Sequence, residues 1–255
     1  MAVETCFLLL SRPQNSRMEK VTAFVFAAGL GTRLYPLTAS RPKALVRYQD
    51  KPLLEHVITK IVDAGIRDII VNVHHFPDQI IEFLSEHDFN ARVRVSDERA
   101  YLRDTAGGLK FAEPFLGESE RLLLYNVDIV SSIDLNNMMA FHLAHQADVT
   151  LAVKKRETAR YFVFDEPTMR LCGWKNVRTG ETICPMASEH PVDCAFSGIH
   201  IVNRKVVEQI PTVEKLSMTP FYLQNLSSFN IYGFLHQKDE WMDIGKYNEY
   251  GNLLK

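Results

Sequence analysis

The sequence predicts an α/β fold with a doubly wound, mostly parallel sheet and helices on both faces. From Val21 onward, short apolar runs alternate with amphipathic helical patterns, as in repeated strand–helix–strand units. The first run, residues 21–27, is almost continuously apolar, which is typical of a parallel strand buried on both faces. After Lys154, short strand patterns separated by turn-rich stretches indicate a small mixed or antiparallel element. Together these observations predict a Rossmann-like architecture.

The individual elements follow from periodicity and turn residues. Residues 52–64 place their apolar side chains on one helical stripe, and Gly65 stands where a helix would end. The first part is predicted to contain strand 21–27, helix 52–64, strand 68–73, helix 77–85, strand 92–96, helix 105–112, strand 122–125, helix 135–145 and strand 149–153. The later part is predicted to contain strands 161–164, 171–174, 195–202, 231–235 and 241–244, followed by a helix from about Lys246.

Composition and charge exclude several classes of protein. The chain has 29 Lys and Arg against 31 Asp and Glu, for a net charge of −2, so it lacks the single-signed field of proteins that bind nucleic acid or anionic membranes by charge. It has no apolar run of about 18 residues that could span a bilayer. The cysteines, Cys6, Cys172, Cys184 and Cys194, are too few and too widely spaced for a disulfide scaffold. We therefore expect a cytoplasmic protein with reduced thiols and with no nucleic-acid or membrane partner.

A glycine-rich turn follows the first predicted strand directly, in the stretch Ala27-Ala28-Gly29-Leu30-Gly31-Thr32-Arg33. Glycines allow a backbone to approach an anion closely, so the residues Ala28, Gly29, Gly31 and Thr32 are candidates for binding phosphate through their N–H groups. The turn matches neither common phosphate motif. Leu34 occupies the third glycine position of the dinucleotide fingerprint, and no Gly-Lys-Ser/Thr follows.

The turn continues with Pro36-Leu37-Thr38 and Pro42-Lys43, giving the pattern G-x-G-T-R-x-x-P-L-T-x-x-x-P-K. This pattern resembles the sugar-1-phosphate nucleotidyltransferase family. Cations are needed for such chemistry, because the α-phosphorus of a nucleoside triphosphate is attacked by another anion. The resemblance implies that Arg33 and Lys43 are the catalytic residues. Arg33 is suited to clamp phosphoryl oxygens and the departing pyrophosphate, and Lys43 could bridge the two substrates.

Two aspartates are candidate magnesium ligands. Asp128 follows Tyr125-Asn126-Val127 at the carboxyl end of an apolar strand, where ligands of parallel sheets collect. The family pattern there is Asn-Gly-Asp, so Val127 is a departure that bears on how closely a substrate can approach the backbone. Trp241-Met242-Asp243-Ile244-Gly245 resembles the W-x-D-x-G segment of the family, which implies that Asp243 supplies a second carboxylate. In isolation, each aspartate is also compatible with a cap or surface position.

Two more segments resemble the family. The segment Asp104-Thr105-Ala106-Gly107-Gly108 resembles a motif whose glycines lie against the nucleotide base, and Asn126 is a further nucleotide-binding candidate. By the same resemblance, the nucleotide-binding candidates of the first segment are Asp104, Thr105, Gly107 and Gly108. Ser197 and Gly198 of Phe196-Ser197-Gly198-Ile199 are candidates for the sugar side of the pocket. Without the resemblance, these segments are typical of a capped helix start and of a strand with a tight contact.

The resemblance implies a Mg²⁺-dependent reaction between a nucleoside triphosphate and a sugar-1-phosphate that gives a nucleoside diphosphate-sugar and pyrophosphate. Phe196-Ser197-Gly198 and Trp241-x-Asp243 are similar to the short members of the family that act in cell-wall recycling, and this resemblance implies UTP and N-acetylmuramate-1-phosphate as substrates. Mannose-1-phosphate guanylyl transfer, glucose-1-phosphate thymidylyl transfer and phosphocholine cytidylyl transfer stay open as alternatives. A regulatory relative that only binds a nucleotide-sugar is the alternative outside enzymes. A single sequence predicts neither the base, the sugar nor the oligomeric state.

Residues 18–255 are expected to form one domain, because no change in composition indicates a linker. Within this domain, residues 155–230 are expected to be a subregion on the substrate side. We expect residues 1–17 to be an extension or a misassigned start. Met18 begins a stretch that leads directly into the first strand, and Glu4 stands where a signal peptide would carry a basic residue.

Overall fold

The computed structural model describes Met18 and residues 20–245. Its strands are β1 (Val21–Phe26), β2 (Arg47–Tyr48), β3 (Lys51–Pro52), β4 (Asp68–Val73), β5 (Arg92–Asp97), β6 (Arg121–Asn126), β7 (Ile129–Ser131), β8 (Val149–Lys154), β9 (Arg160–Asp165), β10 (Arg170–Asn176), β11 (Glu181–Ile183), β12 (Pro191–Asn203), β13 (Ile231–Leu235) and β14 (Trp241–Asp243). Its helices are α1 (Leu53–Asp63), α2 (Pro77–Glu86), α3 (Asp104–Phe111), α4 (Leu135–Ala144), α5 (Arg204–Glu208) and α6 (Met218–Gln224). The extension at residues 1–17 and the helix expected from Lys246 lie outside the described residues.

One ten-stranded sheet organises the described part of the chain. Its order is β11-β10-β13-β8-β12-β6-β1-β4-β5, with β9 paired to β10 and β12. Strands β5, β4, β1 and β6 are parallel neighbours, β13 is parallel to β8, and β12 runs antiparallel between β6 and β8. The predicted α/β fold is thereby confirmed. The described sheet is mixed, with four parallel strand pairs and six antiparallel ones, so the predicted mostly parallel arrangement holds only for β5, β4, β1 and β6 and for the pair of β13 and β8.

Alternate side chains of the strands enter two hydrophobic cores on opposite faces of the sheet. In β1, Ala23 and Val25 belong to the first core and Phe24 to the second. The first core is completed by α1, α2 and α4, and the second by α3, α5 and α6. Because both faces of the sheet are covered, five of the six residues of β1 are apolar, which explains the nearly continuous run predicted for this strand.

The later part of the chain differs from its prediction in two respects. Strand β12 is longer than the predicted 195–202 and lies in the middle of the sheet, while β9 and β10 extend the same sheet instead of forming a separate element. Helices α5 and α6 were not predicted, because five and seven residues are too short to show a helical period. Phe221 and Tyr222 of α6 are core residues of the described structure.

No helix among the described residues is both long and apolar enough to cross a membrane. Cys172, Cys184 and Cys194 are free thiols, and Cys6 lies outside the described residues.

We expect the free energy of unfolding to fall as the pH is lowered from 7 to 5. Burial lowers the pKa of His142 to about 4, that of His200 to about 3 and that of His236 to about 4. Between pH 6.5, the ordinary pKa of histidine, and the lowered pKa in the fold, each of these residues binds a proton in the unfolded chain but not in the folded chain. Acid therefore favours unfolding. Each histidine should contribute up to about 2 kcal/mol to the loss of unfolding free energy between pH 7 and pH 5. Urea unfolding at the two pH values measures this loss.

The variant His200→Gln tests the origin of this effect, because it removes a histidine whose Nδ1 lies 2.7 Å from the Tyr222 hydroxyl inside the second core. Its unfolding free energy should depend less steeply on pH than that of the unchanged protein. The matched control is His87→Gln, at an exposed position on the surface. An equally steep pH dependence in both variants would contradict the prediction.

Candidate active site

The candidate site lies where the parallel strands β1, β4, β5 and β6 end, which is the edge of an open α/β sheet at which ligands bind. The glycine-rich turn follows β1 at this edge. Asn72, near the end of β4, accepts hydrogen bonds through Oδ1 from the N–H groups of Ala27 (2.8 Å) and Ala28 (3.2 Å). This amide therefore fixes the start of the turn.

The turn folds back on itself at Gly31. Gly31 has φ +67°, and a Cβ placed there would lie 2.9 Å from Cγ2 of Thr38. The Thr38 hydroxyl donates a 2.9 Å hydrogen bond to the Gly31 carbonyl, which closes the turn. Gly29 and Thr32 are exposed, so their backbone is open to an anion at the edge of the sheet.

The four charged residues predicted from the motifs meet at this edge. Lys43 Nζ hydrogen-bonds to Asp128 Oδ2. Arg33 Nη2 lies 3.6 Å from Asp128 Oδ2, and Arg33 Nη1 lies 3.6 Å from Asp243 Oδ2. The side chains of Asp128 and Lys43 are only 10% and 12% exposed, whereas Arg33 is 60% exposed. Arg33 is therefore the member of the cluster that can most easily turn towards an incoming anion.

A two-stranded ribbon brings the distant aspartates together. Strands β7 and β14 pair antiparallel, with Asp243 opposite Ile129. The N–H of Ile244 donates to the Asp128 carbonyl at 2.9 Å, and the N–H of Gly245 donates to Asp243 Oδ1 at 3.0 Å. The carboxylates of Asp128 and Asp243 consequently stand side by side.

The two carboxylates differ electrostatically. Burial acts to raise the pKa of Asp128, but Lys43 and Arg33 outweigh it and hold that pKa below its ordinary value. Burial and the neighbouring Asp128 carboxylate raise the pKa of Asp243, against the opposing effect of Arg33. Two adjacent acidic groups that repel each other are stabilised when a cation lies between them.

The residues present fit a divalent metal ion. The described residues contain no group of three or more His, Cys, Asp or Glu side chains that could hold a metal. A pair of carboxylates suits Mg²⁺, which takes one or two protein carboxylates and completes its shell with phosphate oxygens and water. A Cβ on Gly245 would lie 2.6 Å from Asp128 Oδ2 and 2.8 Å from Asp243 Oδ1, so the glycine keeps the space between the carboxylates open.

Val127, the departure from the family pattern, does not enter this space. Its side chain is 3% exposed and belongs to the first core. The valine is therefore accommodated behind the sheet edge, and the carboxylate of Asp128 still reaches Lys43 and Arg33.

A cavity of about 280 Å³ adjoins the glycine-rich turn. Its lining includes four residues predicted to bind the nucleotide, which are Ala28, Gly29, Asp104 and Thr105. Five further lining residues, Phe26, Asn72, Glu98, Leu102 and Lys215, were not predicted. Asn72 carries a detectable signal, since it is a polar residue within an otherwise apolar strand, while Glu98 and Lys215 carry none.

Helix α3 forms one wall of this cavity, and it holds in place the neighbouring segment that contributes Lys215 to the lining. Asp104 Oδ2 accepts a 2.6 Å hydrogen bond from the Ser217 hydroxyl, and the Gly107 N–H donates to the Leu216 carbonyl at 3.0 Å. A Cβ on Gly108 would lie 2.5 Å from Glu98 Oε1. Asp104 and Gly107 thus hold the segment that carries Lys215 against α3. Gly108 leaves room for the side chain of Glu98.

Ser197 and Gly198, the candidates for the sugar side of the pocket, are packed inside the fold. Ser197 is fully buried, and its hydroxyl lies 2.7 Å from Nε2 of His236. Gly198 has φ +77°, and a Cβ there would lie 2.7 Å from Ile129 Cγ1 and 3.0 Å from Asn126 Nδ2. Gly198 therefore lets β12 pass close to the ribbon of β7 and β14. The Ser197 hydroxyl is engaged inside the fold, which does not favour a direct contact with substrate, and its predicted role stays a prediction.

A more voluminous cavity of about 470 Å³ lies between α1, β7 and the start of α4. Its lining includes Lys60 and Tyr125, but the ion cluster of Arg33, Lys43 and the two carboxylates lies outside it. Volume alone therefore does not mark the candidate site, and the converging charges are the better indication of it.

Fold and site together define an α/β protein with two cationic side chains beside a carboxylate pair at the edge of a parallel sheet. Residues 22–166 match the nucleotidyl transferase family, and the chain belongs to that family. It is 32% identical over 236 residues to a mannose-1-phosphate guanyltransferase of Gibberella zeae, and 30% identical over 241 residues to one of Schizosaccharomyces pombe. These alignments cover 87% and 89% of this chain but only 60% and 62% of the relatives, so the chain spans about three-fifths of their length.

A solved structure shares the fold. The structure of HddC from Yersinia pseudotuberculosis complexed with GMP-PN superposes with a TM-score of 0.73 at 21% identity, covering 91% of this chain and 97% of HddC.

Proposed function

We propose that the protein is a metal-dependent nucleotidyltransferase that transfers a guanylyl group from GTP to a sugar-1-phosphate, with mannose-1-phosphate as the first candidate. The observation that carries the proposal is the convergence of Arg33, Lys43, Asp128 and Asp243 beside the glycine-rich turn. The names of the relatives support guanylyl transfer, and they favour this alternative over the expected pair of UTP and N-acetylmuramate-1-phosphate.

The proposed reaction needs no general base. The second pKa of a phosphate monoester is about 6, so the attacking oxygen of a sugar-1-phosphate is already deprotonated at neutral pH. This oxygen forms a bond to the α-phosphorus of the nucleotide, the bond from that phosphorus to the bridging oxygen breaks, and pyrophosphate leaves with the electron pair. The protein has to bring the two anionic substrates together and to stabilise the negative charge that develops on the departing pyrophosphate.

The chain's own cations perform these tasks in the proposal. The exposed guanidinium of Arg33 binds phosphoryl oxygens and stabilises the charge on pyrophosphate. Lys43, a compact charge at the opposite end of the turn, offsets the repulsion between the two substrates. A divalent cation such as Mg²⁺, held by Asp128 and Asp243, would neutralise phosphate charge when bound.

A matrix of substrates tests the proposal. Pyrophosphate release is measured for GTP, UTP, dTTP, CTP and ATP against mannose-, glucose-, N-acetylglucosamine- and N-acetylmuramate-1-phosphate and phosphocholine, with and without Mg²⁺. We expect one metal-dependent combination, GTP with mannose-1-phosphate. Turnover of another pair alone would replace the proposed substrates.

A folded protein that is inactive throughout the matrix would overturn the enzymatic proposal. In that case, stronger thermal stabilisation by a nucleotide-sugar than by GTP would support the alternative of a regulatory binding protein.

Replacing Gly245 by Ala should raise the Mg²⁺ concentration needed for half-maximal rate by about tenfold or more. The new Cβ would lie within 2.8 Å of both the Asp128 Oδ2 and Asp243 Oδ1 atoms, so the carboxylates must move apart. The control is Gly117→Ala, whose Cβ meets no atom within 4 Å but whose φ of +54° strains any side chain. That variant should lose stability without a change in its Mg²⁺ requirement. An unaltered Mg²⁺ requirement in Gly245→Ala would argue against the assigned metal position.

A further inference from the structure

Glu98 is a carboxylate on the wall of the 280 Å³ cavity that adjoins the glycine-rich turn. It follows β5 directly and is only 2% exposed. Acidic side chains are seldom buried to this extent unless they are paired or hydrogen-bonded. No cation forms an ion pair with it among the described residues, so its buried oxygens depend on hydrogen bonds.

Two donors orient the carboxylate. Asn72 Nδ2 donates to Oε1 at 2.8 Å, and the N–H of Arg103 donates to Oε2 at 3.3 Å. The orientation of the Asn72 amide is fixed independently, because its Oδ1 accepts from the N–H groups of Ala27 and Ala28. Glu98 is therefore an acceptor in both bonds. Burial raises the pKa of Glu98, and the hydrogen bonds from Asn72 and Arg103 oppose that rise.

Each carboxylate oxygen can accept more than one hydrogen bond. With one bond made at Oε1 and another at Oε2, Glu98 keeps acceptor capacity on both oxygens beside the cavity. A ligand that satisfies this capacity has to present two neighbouring N–H donors with no acceptor between them. Polar groups left unsatisfied in such a buried place would cost free energy, so a base lacking these donors is disfavoured.

Among the common bases, guanine alone presents this pattern. Its N1–H and its 2-amino group are adjacent donors. Adenine and cytosine each pair one amino donor with a ring-nitrogen acceptor, and the single N3–H of uracil or thymine is flanked by two carbonyl oxygens that would repel a carboxylate. A carboxylate facing the base edge therefore distinguishes guanine from the other four.

We propose that Glu98 is the residue that selects guanine, by accepting hydrogen bonds from its N1–H and 2-amino groups. The inference rests on the proposed function, because it assigns the cavity beside the phosphate-binding turn to the base of the nucleotide substrate. Asn72 connects the two parts of the nucleotide site, since it bonds to Glu98 through Nδ2 and to the start of the turn through Oδ1. A correctly bound base thereby holds the turn in the conformation that receives the phosphates.

The test compares GTP with ITP, whose base lacks the 2-amino group, in the unchanged protein and in Glu98→Gln. Dissociation constants are measured by calorimetry without the sugar-1-phosphate, and kcat/KM is measured with it. ITP lacks one hydrogen bond to a charged group, so the unchanged protein should bind ITP about 10- to 100-fold more weakly than GTP and show a correspondingly lower kcat/KM for it. In Glu98→Gln we expect weaker GTP binding and a GTP-to-ITP ratio close to one.

The matched control is Asp97→Asn. Asp97 is the preceding acidic residue, but it is exposed at the surface and bonds to Arg99. This variant should keep the GTP-to-ITP ratio of the unchanged protein. If Glu98→Gln weakened GTP, ITP and UTP by the same factor, Glu98 would only position the turn, and the inference would be overturned.

An unchanged protein that does not distinguish GTP from ITP would also overturn the inference. Selective binding of GTP that depends on Glu98, in a protein without turnover, would instead support the inference and count against the proposed reaction. The two proposals can therefore fail separately.

Discussion

Replacing Asp128 by Asn should lower the proposed Mg²⁺-dependent turnover by roughly a hundred- to a thousandfold, while the protein should stay folded. This result is expected because the change keeps the shape of the side chain but removes the negative charge that attracts a divalent cation. Asp128 is also the partner shared by Lys43 and Arg33, so the change alters the charge balance of the whole cluster. Initial rates over a range of Mg²⁺ concentrations measure the effect.

The stability of Asp128→Asn should change much less than its activity. The amide oxygen can still accept the hydrogen bond of Lys43, so we expect a loss of about 1–3 kcal/mol of unfolding free energy. Asp134→Asn is a suitable control, because Asp134 caps α4 through bonds to the N–H groups of Asn136 and Asn137, and asparagine caps helices equally well. The assignment of Asp128 would be wrong if its variant turned over substrate at the same rate as this control.

Removing the guanidinium in Arg33→Ala should cost about a thousandfold in kcat/KM, similar to the lower range for arginine residues that stabilise phosphoryl transfer. The loss should appear mainly in kcat if Arg33 stabilises the charge on departing pyrophosphate. Arg33 is 60% exposed and lies 3.6 Å from its two carboxylate partners, so its ion pairs contribute little to stability. Thermal unfolding should accordingly be almost unchanged.

Two further variants define what Arg33 contributes. Arg33→Lys keeps the positive charge but loses the planar fork, and it should recover only part of the rate. Arg41→Ala removes an exposed cation from the same turn and should leave kcat unaffected. A similar modest loss in Arg33→Ala and Arg41→Ala would show that only the net charge of the turn matters.

The sequence predicted the elements that have strong periodicity and the residues that lie in long motifs. The strand at residues 68–73 has the predicted bounds, because six buried or half-buried residues follow one another between turn signals. The motif spacing identified Arg33, Lys43, Asp128 and Asp243, and the structure brings these side chains together. Their chemical roles stay predictions.

Other features depend on tertiary contacts that no local pattern records. Glu98 faces a cavity only because β5 ends beside β4 and α3, and a lone glutamate after a strand gives no periodic signal. The hydroxyl of Ser197 was predicted on the sugar side, yet its direction is set by His236, which is 39 residues away. The predicted strand 195–202 missed residues 191–194 and Asn203 of β12, because Pro191, Asp193 and Asn203 do not continue the apolar pattern of a strand.

The pairing of β7 with β14 also bears on the order of events while the chain folds. The ribbon joins carboxylates that are 115 positions apart (243 − 128), and closing so long a loop adds only logarithmically to the entropic cost. Contacts of such sequence separation nevertheless form slowly. A nascent chain can therefore complete β1, β4, β5 and the glycine-rich turn while the two aspartates proposed to hold the metal are still apart. The proposed metal site can form only after strands β8 to β13, which lie between the two aspartates in the sequence, have joined the sheet.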